Sequence, residues 1–168
     1  MLISIFPHAT FLLYLCAVQF QKIAIIGVGL LGGSLGLAIK QRKLTSKVDG
    51  YVRRTASISE CEKFGVVDHA TREIKCAVEN ADLIILCTPL SRMRELSEQM
   101  IPALKPGAIV TDVGSVKASV VDELEPLFAS ANVHFIGSHP MAGGEKIGVR
   151  FAKADLFQDA VCVVTPSL

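Results

Sequence analysis

The feature that most constrains this fold is a glycine-rich turn between an apolar run and an amphipathic segment. The run Ile23–Ile26 leads directly into Gly27-Val28-Gly29-Leu30-Leu31-Gly32, which has the spacing G-x-G-x-x-G. Between a strand and a helix, its first glycine permits a tight turn, the second lets a pyrophosphate approach the backbone, and the third lets helix and strand pack closely. Free N–H groups at the helix start then bind the anion. The turn predicts a dinucleotide site formed by Gly27, Gly29, Leu30, Leu31 and Gly32; a turn that serves only tight packing is the alternative.

Short apolar runs and longer amphipathic segments alternate along the rest of the chain. The predicted strands are Ile23–Ile26, Val48–Val52, Leu83–Cys87, Ile109–Thr111, His134–Ile136 and Val161–Val164. The predicted helices are Leu31–Lys40, Ile58–Phe64, Leu90–Leu104 and Val116–Leu127. Near-continuous apolar runs are typical of parallel strands that are covered on both faces. The order therefore predicts an α/β fold of the Rossmann type, a doubly wound, mainly parallel sheet with helices on both faces.

Two patterns mark the ends of the second predicted helix. Ser57 and Glu60 have the spacing of a capping box, in which each side chain would bind a free backbone N–H. Gly65 follows the helix where a left-handed residue commonly ends one. Both patterns agree with a helix between these points.

Charge and cysteine content exclude several classes of protein. The 168 residues include 17 Lys and Arg against 16 Asp and Glu, and 51% are hydrophobic. Disordered chains are less hydrophobic and more charged, and nucleic-acid-binding domains usually carry a basic excess, so we expect a globular protein without a nucleic-acid partner. The five cysteines form no C-x-x-C pair, and no histidines have metal-ligand spacing. We therefore expect a reduced, cytoplasmic protein without a metal.

The first 21 residues contain no Asp, Glu, Lys or Arg. The span is interrupted by Pro7, His8, Thr10 and Gln19, and no basic cluster precedes it, which argues against a membrane anchor or a secretory signal. We expect an apolar extension over residues 1–21, a folded domain over 22–168, and no membrane partner. An extra packing segment and translation upstream of a true start at Val18 are the two simpler interpretations of the extension.

The end of the second predicted strand indicates which dinucleotide the site prefers. In NAD enzymes an acidic residue about 20 residues beyond the glycine turn binds the ribose 2′-hydroxyl. Val52 stands at that position, and Arg53 and Arg54 follow it. A carboxylate would repel a 2′-phosphate, whereas guanidinium groups bind one, so the sequence favours NADP, with NAD possible. The alternative is that both arginines are solvated turn residues.

Ligands of open α/β sheets bind at the carboxyl ends of the strands, so the residues after each apolar run are candidates. They are Thr88 and Pro89, then Asp112, Gly114, Ser115 and Lys117, then Ser138, His139, Pro140 and Met141. Among them only His139 carries an imidazole, the side chain that can act as the general base at neutral pH when a nicotinamide oxidises an alcohol. Ser115 could share the proton network or hold the carboxamide of the nicotinamide. Alternatively, Ser115 caps a helix, Lys117 is solvated, and His139 is a structural turn residue.

These segments resemble the nucleotide-binding half of the prephenate and arogenate dehydrogenases. The similarity rests on the glycine turn, on Cys87-Thr88-Pro89, on the run from Thr111 to Lys117, and on the run from Gly137 to Gly148, in that order. The resemblance implies NAD(P)-dependent oxidative decarboxylation of prephenate or arogenate, a step of tyrosine biosynthesis. It also implies a role for each of five residues: His139 accepts the ring hydroxyl proton, Ser115 orients that contact, Thr88 and Pro89 border the cofactor ribose, and Glu145 joins a polar network at the substrate mouth.

Two features differ from the family pattern. Gly144 stands where the family commonly has Thr or Ser. Family members also continue into a helical domain that dimerises and supplies an arginine for the substrate carboxylate, and we expect none before Leu168. The resemblance thus implies a cofactor domain that lacks part of the substrate site and forms a homodimer only with the helical domain. A noncatalytic nucleotide-binding module and another dehydrogenase of the β-hydroxyacid type are the competing interpretations.

Overall fold

A seven-stranded sheet forms the centre of the part of the chain that the computed structural model describes, residues 20–166. Its strands are β1 Phe20–Ile26, β2 Thr45–Tyr51, β3 His69–Thr71, β4 Leu83–Leu86, β5 Ile109–Asp112, β6 His134–Pro140 and β7 Cys162–Thr165. Their order in the sheet is β3-β2-β1-β4-β5-β6-β7. The first six strands are parallel, and β7 runs antiparallel to β6. The predicted doubly wound, mainly parallel sheet is confirmed.

Helices cover both faces of this sheet. They are α1 Leu30–Gln41, α2 Ala56–Lys63, α3 Ile74–Val78, α4 Leu90–Met100 and α5 Lys117–Ala129, with 3-10 turns at Ile101–Ala103 and Val149–Phe151. Alternate residues of β1 enter two separate cores: Ile23 and Ile25 pack with Val149 on one face, whereas Ala24 and Ile26 pack on the other. Within residues 20–166, none of the helices combines the length and the apolar character needed to cross a membrane.

Several boundaries differ from the predicted ones. β1 begins at Phe20, before the expected domain start, and most of the proposed extension, residues 1–19, lies outside the described residues. β3 and α3 were not predicted, because three and five residues are too short to show a period. β6 extends through His139 to Pro140 and pairs with β7.

The N-terminus of α2 also differs from the prediction. The helix begins at Ala56, and no side chain caps it, so the predicted capping box of Ser57 and Glu60 is wrong. Gly65 has a φ of 63° and confirms the helix stop.

Two glycines of α1, Gly32 and Gly36, let this helix pack closely on neighbouring backbone. A Cβ on Gly32 would lie 2.3 Å from the Gly27 carbonyl oxygen, and one on Gly36 would lie 2.0 Å from the Val66 carbonyl oxygen. The buried Ser34 hydroxyl accepts a hydrogen bond from the Lys153 N–H at 2.9 Å, which ties the segment after β6 to this helix. α1 therefore packs directly on backbone, and its N-terminus points at the carboxyl edge of the sheet.

Candidate cofactor-binding and active site

The turn after β1 has the geometry that its glycines predict. Gly27 has a φ of 98°, and a Cβ there would lie 2.8 Å from the Cys87 carbonyl oxygen, so only glycine suits this position. Its N–H donates to the Tyr51 carbonyl at 3.0 Å, which joins the turn to the end of β2. Beside Gly29, in contrast, a Cβ would meet nothing within 4 Å. The turn therefore leaves open space at the glycine where a pyrophosphate is expected to approach.

A cleft of about 370 Å³ lies between this turn and the carboxyl ends of β2 and β4. It brings together six of the expected cofactor residues: Gly27, Gly29, Arg53, Arg54, Thr88 and Pro89. The remaining three, Leu30, Leu31 and Gly32, form the first turn of α1 beside it. The Thr88 hydroxyl oxygen is buried and has no hydrogen-bond partner within the described part of the chain. An enclosed hydroxyl without a partner in a cleft suits a ligand that supplies one.

Three arginines line the same cleft. Arg53 and Arg54 are exposed, and neither forms an ion pair with any of residues 20–166. Arg72 fixes the shape of their loop, because its guanidinium donates to the Arg53 carbonyl at 3.2 Å. Arg92 was not among the predicted residues; it lies in the first turn of α4 and pairs with Glu95 at 2.9 Å. Its position three residues after Pro89, at a helix start on the ligand edge, was the available signal.

The Cys87 thiol lines the cleft directly after β4. Burial raises its pKa to about 12, and the charge of Asp112 adds to the shift. Burial likewise raises the pKa of the Cys61 thiol to about 11, with smaller contributions from Glu60 and Glu62. Because the thiolate is the nucleophile, both side chains should resist alkylation in the folded chain.

We therefore expect iodoacetamide at pH 8 to modify the exposed Cys76 and Cys162 before Cys61 and Cys87. At that pH the thiolate fraction of the latter two is below about 0.1%, given their raised pKa values. Peptide mass spectrometry over a time course measures the order, and the same reaction in guanidinium chloride, where burial is lost, should level the rates. Modification of Cys87 as fast as that of Cys162 in the folded chain would contradict this account.

A buried ionic network occupies the carboxyl ends of β5 and β6. Asp112 is completely buried, and its carboxylate accepts the Gly114 N–H at 2.8 Å and the Ser138 N–H at 3.0 Å. The ammonium of Lys117 forms an ion pair with the same carboxylate and donates to the Ser138 carbonyl at 2.7 Å. The Lys117 side chain is only 14% exposed, so the solvated alternative for this residue is wrong. The network was not predicted, although its members were among the strand-end residues.

The two predicted catalytic residues lie on either side of this network. Ser115 is exposed in the loop after β5, and Val116 is the residue that precedes α5, without any side-chain cap. The capping alternative for Ser115 is therefore wrong. His139 is half-buried within β6, opposite Val163 of β7, so its backbone belongs to a strand rather than to a turn. Both residues stand at the carboxyl edge of the sheet, which also carries the glycine turn.

The loop after β6 extends back over the start of α1. A second cavity, of about 420 Å³, is lined there by Leu30, Gly144 and Glu145 together with the cations Lys146 and Arg150. These cations lie 5.1 and 4.8 Å from the centre of the Phe151 ring. Glu145 is exposed and lines the same cavity as these two cations. Among the residues that the structure describes, no group of His, Cys, Asp or Glu could hold a metal ion.

Known proteins are similar to this chain in sequence and in fold. The family model described as "Prephenate dehydrogenase, nucleotide-binding domain" matches residues 35–168. The chain is 40% identical over 146 residues to a prephenate dehydrogenase of Lactococcus lactis, covering 86% of this chain and 41% of that protein. The fold of prephenate dehydrogenase from A. aeolicus, solved with hydroxyphenyl propionate and NAD+, matches with a TM-score of 0.82 and 31% identity, covering 90% of this chain and 52% of that one.

An arogenate dehydrogenase of Synechocystis is similar as well, with a TM-score of 0.80 and 34% identity over 88% of this chain and 50% of that one. The chain thus spans about half the length, or less, of the relatives that it matches. The family model covers most of the strands and helices described above. The chain therefore belongs to the prephenate dehydrogenase family, whose nucleotide-binding domain it contains.

Proposed function

We propose that this chain is the cofactor-binding part of an NAD(P)-dependent dehydrogenase that oxidatively decarboxylates prephenate or arogenate. The observation that carries the proposal is the arrangement of one sheet edge. The cleft beside Gly29 and the strand end at His139 lie on the same carboxyl edge, where a nicotinamide bound through the glycine turn would face a base. Relatives named prephenate dehydrogenase and arogenate dehydrogenase support the same activity.

The residues of the chain fit such a cofactor and reaction. Open space at Gly29, the unpartnered Thr88 hydroxyl and the arginines of the cleft would hold the dinucleotide. A nicotinamide held there would supply the hydride acceptor for the ring carbon that carries the hydroxyl. His139 takes the hydroxyl proton, and Ser115 orients that contact. The ring carboxylate leaves as carbon dioxide, and its bonding electrons complete the aromatic ring.

The choice between this enzyme and a noncatalytic nucleotide-binding module is decided by turnover. The intact protein that carries this chain is mixed with NADP or NAD and either prephenate or arogenate. We expect absorbance at 340 nm to rise together with release of carbon dioxide and an aromatic product. Tight cofactor binding without turnover of either substrate would favour the module and exclude the proposed reaction.

We propose NADP as the preferred cofactor, because Arg53 and Arg54 follow β2 without a carboxylate partner and Arg92 lines the same cleft. Replacing Arg53 and Arg54 together by alanine should weaken NADP binding about 30-fold or more and change NAD binding little, since charge-assisted bonds to the 2′-phosphate are lost. Isothermal titration of the chain measures both affinities. Arg94→Ala is the control, because Arg94 lies outside the cleft and pairs with Glu98. Tighter binding of NAD than of NADP by the unmodified chain would overturn the preference.

Two further features belong to the proposal. The four described cysteines are all unpaired, which supports a reducing, cytoplasmic location. We also propose that the intact protein forms a homodimer through a helical domain, as the family resemblance implies; the relatives are about twice as long as this chain, which leaves room for such a domain. Analytical ultracentrifugation of the intact protein tests this association.

A further inference from the structure

The Asp112–Lys117 ion pair joins the two segments that carry Ser115 and His139. Lys117 follows Ser115 by two residues, at the first position of α5, and its ammonium reaches the Ser138 carbonyl, whose peptide continues into His139. Asp112 at the end of β5 holds the N–H groups of Gly114 and Ser138 with its two carboxylate oxygens. Two of these four interactions, the ones made with Ser138, connect the segment after β5 to the end of β6, and the other two hold that segment together.

We infer that this ion pair is a positioning device, which holds Ser115 and His139 in the relative orientation that the reaction requires. The inference rests on the proposed function for its catalytic consequence. Neither Asp112 nor Lys117 needs to touch the substrate, because each acts through the backbone next to a proposed catalytic residue. Misplacement of a catalytic group by about 1 Å can lower a rate about 100-fold, so rigid placement of these two segments matters.

The surroundings of Asp112 show that its position is tightly defined. A Cβ on Gly114 would lie 2.9 Å from the Asp112 carboxylate and 2.5 Å from Leu90, so the loop has no room to move inward. A Cβ on Gly137 would lie 2.5 Å from the Thr165 hydroxyl, so β6 is closely packed against β7 beside the carboxylate. The Ser138 hydroxyl also donates to the Asp112 carbonyl at 2.5 Å. A buried charge is costly unless it is paired, so removal of Lys117 should disturb this whole arrangement.

The chain contains a comparison ion pair at the opposite edge of the sheet, which is more exposed: 22% and 40% for its aspartate and lysine side chains, against 0% and 14% for Asp112 and Lys117. Asp82, just before β4, accepts the N–H groups of Gln21 and Lys22 at 2.6 and 3.0 Å and pairs with Lys105. This pair has the same composition, an aspartate with two backbone donors and one lysine, but it lies at the amino ends of β1 and β4. A general loss of ion-pair stability should appear in both pairs, whereas an effect on the reaction should appear only at Lys117.

The first test measures amide hydrogen exchange of the chain, which does not depend on turnover. We expect Lys117→Met to speed exchange at Gly114 and Ser138 by about tenfold or more, since the carboxylate that holds both amides loses its partner. Lys117→Arg should restore most of the protection, and Lys105→Met should leave both amides unchanged. Unchanged exchange at Gly114 and Ser138 in Lys117→Met would overturn the inference.

The second test measures turnover of the intact protein with the same variants. We expect Lys117→Met to lower kcat about 30-fold or more with little change in cofactor Kd, and Lys117→Arg to recover much of it. Lys105→Met should keep the kcat of the unmodified protein. Equal kcat in Lys117→Met and the unmodified protein would overturn the positioning role, whereas an unmodified protein without turnover would instead contradict the proposed function and leave the exchange test to decide the inference.

Discussion

Replacing His139 by asparagine is expected to lower the turnover of the intact protein about 1,000-fold, because general base catalysis typically contributes 10² to 10⁴. Asparagine keeps a polar side chain of similar reach but cannot accept the hydroxyl proton. His139 lies in β6 with its backbone paired to β7, so the fold should tolerate the change. Steady-state kinetics with prephenate and arogenate measure kcat, and titration with NADP measures cofactor affinity, which should change little.

His134→Asn is the matched control for this result. His134 begins the same strand, is exposed, and lies at the amino edge of the sheet, away from the cleft. We expect this variant to keep both turnover and cofactor affinity. Unchanged turnover in His139→Asn would remove His139 from its proposed role, and an equal loss in His134→Asn would show that β6 is merely sensitive to substitution.

Alanine at two glycines of one segment is expected to separate cofactor binding from folding. Gly29→Ala should leave the melting temperature nearly unchanged, since its Cβ meets nothing within 4 Å, but should weaken cofactor binding about 100-fold by filling the space for the pyrophosphate. Gly36→Ala should destabilise the chain by about 3 kcal/mol or more, because its Cβ would lie 2.0 Å from the Val66 carbonyl oxygen.

Each of these variants is the control for the other. Thermal unfolding and NADP titration are measured for both proteins. The proposal requires weaker binding at unchanged stability in Gly29→Ala and lower stability in Gly36→Ala. A Gly29→Ala chain that binds NADP as tightly as the unmodified chain would show that the turn does not hold the pyrophosphate. A Gly36→Ala chain of normal stability would show that α1 leaves room for a methyl group beside the Val66 carbonyl.

The predictable part of this fold consists of elements with a strong local signal. Ile23–Ile26 and the glycine turn after it predicted β1 and α1, because an uninterrupted apolar run and a G-x-G-x-x-G spacing are properties of adjacent residues. β3 and α3 gave no such signal, since three or five residues cannot show a period. The capping box failed because helix α2 began at Ala56 without using the Ser57 side chain, a local alternative that the spacing could not distinguish.

The residues of the candidate site likewise separate into those with a local sequence signal and those without one. The segments that follow the apolar runs predict Thr88, Ser115 and His139 as site candidates, because parallel strands bring their carboxyl ends to one edge whatever the order of strands in the sheet. Arg92 was missed because it enters the cleft from a helix, and its direction depends on how α4 packs.

Local order in the chain was sufficient to predict the fold class, the glycine turn and the strand-end residues, since each depends on neighbours in sequence. The ion pair and hydrogen bonds that join the segments after β5 and at the end of β6 were not predictable. Asp112 and Lys117 could each have been a solvated charge at a strand end, and only the packing of β5 against β6 buries the carboxylate and places the lysine at the Ser138 carbonyl. Burial makes an unpaired charge costly, so the tertiary structure converts two ordinary polar residues into one connection between Ser115 and His139.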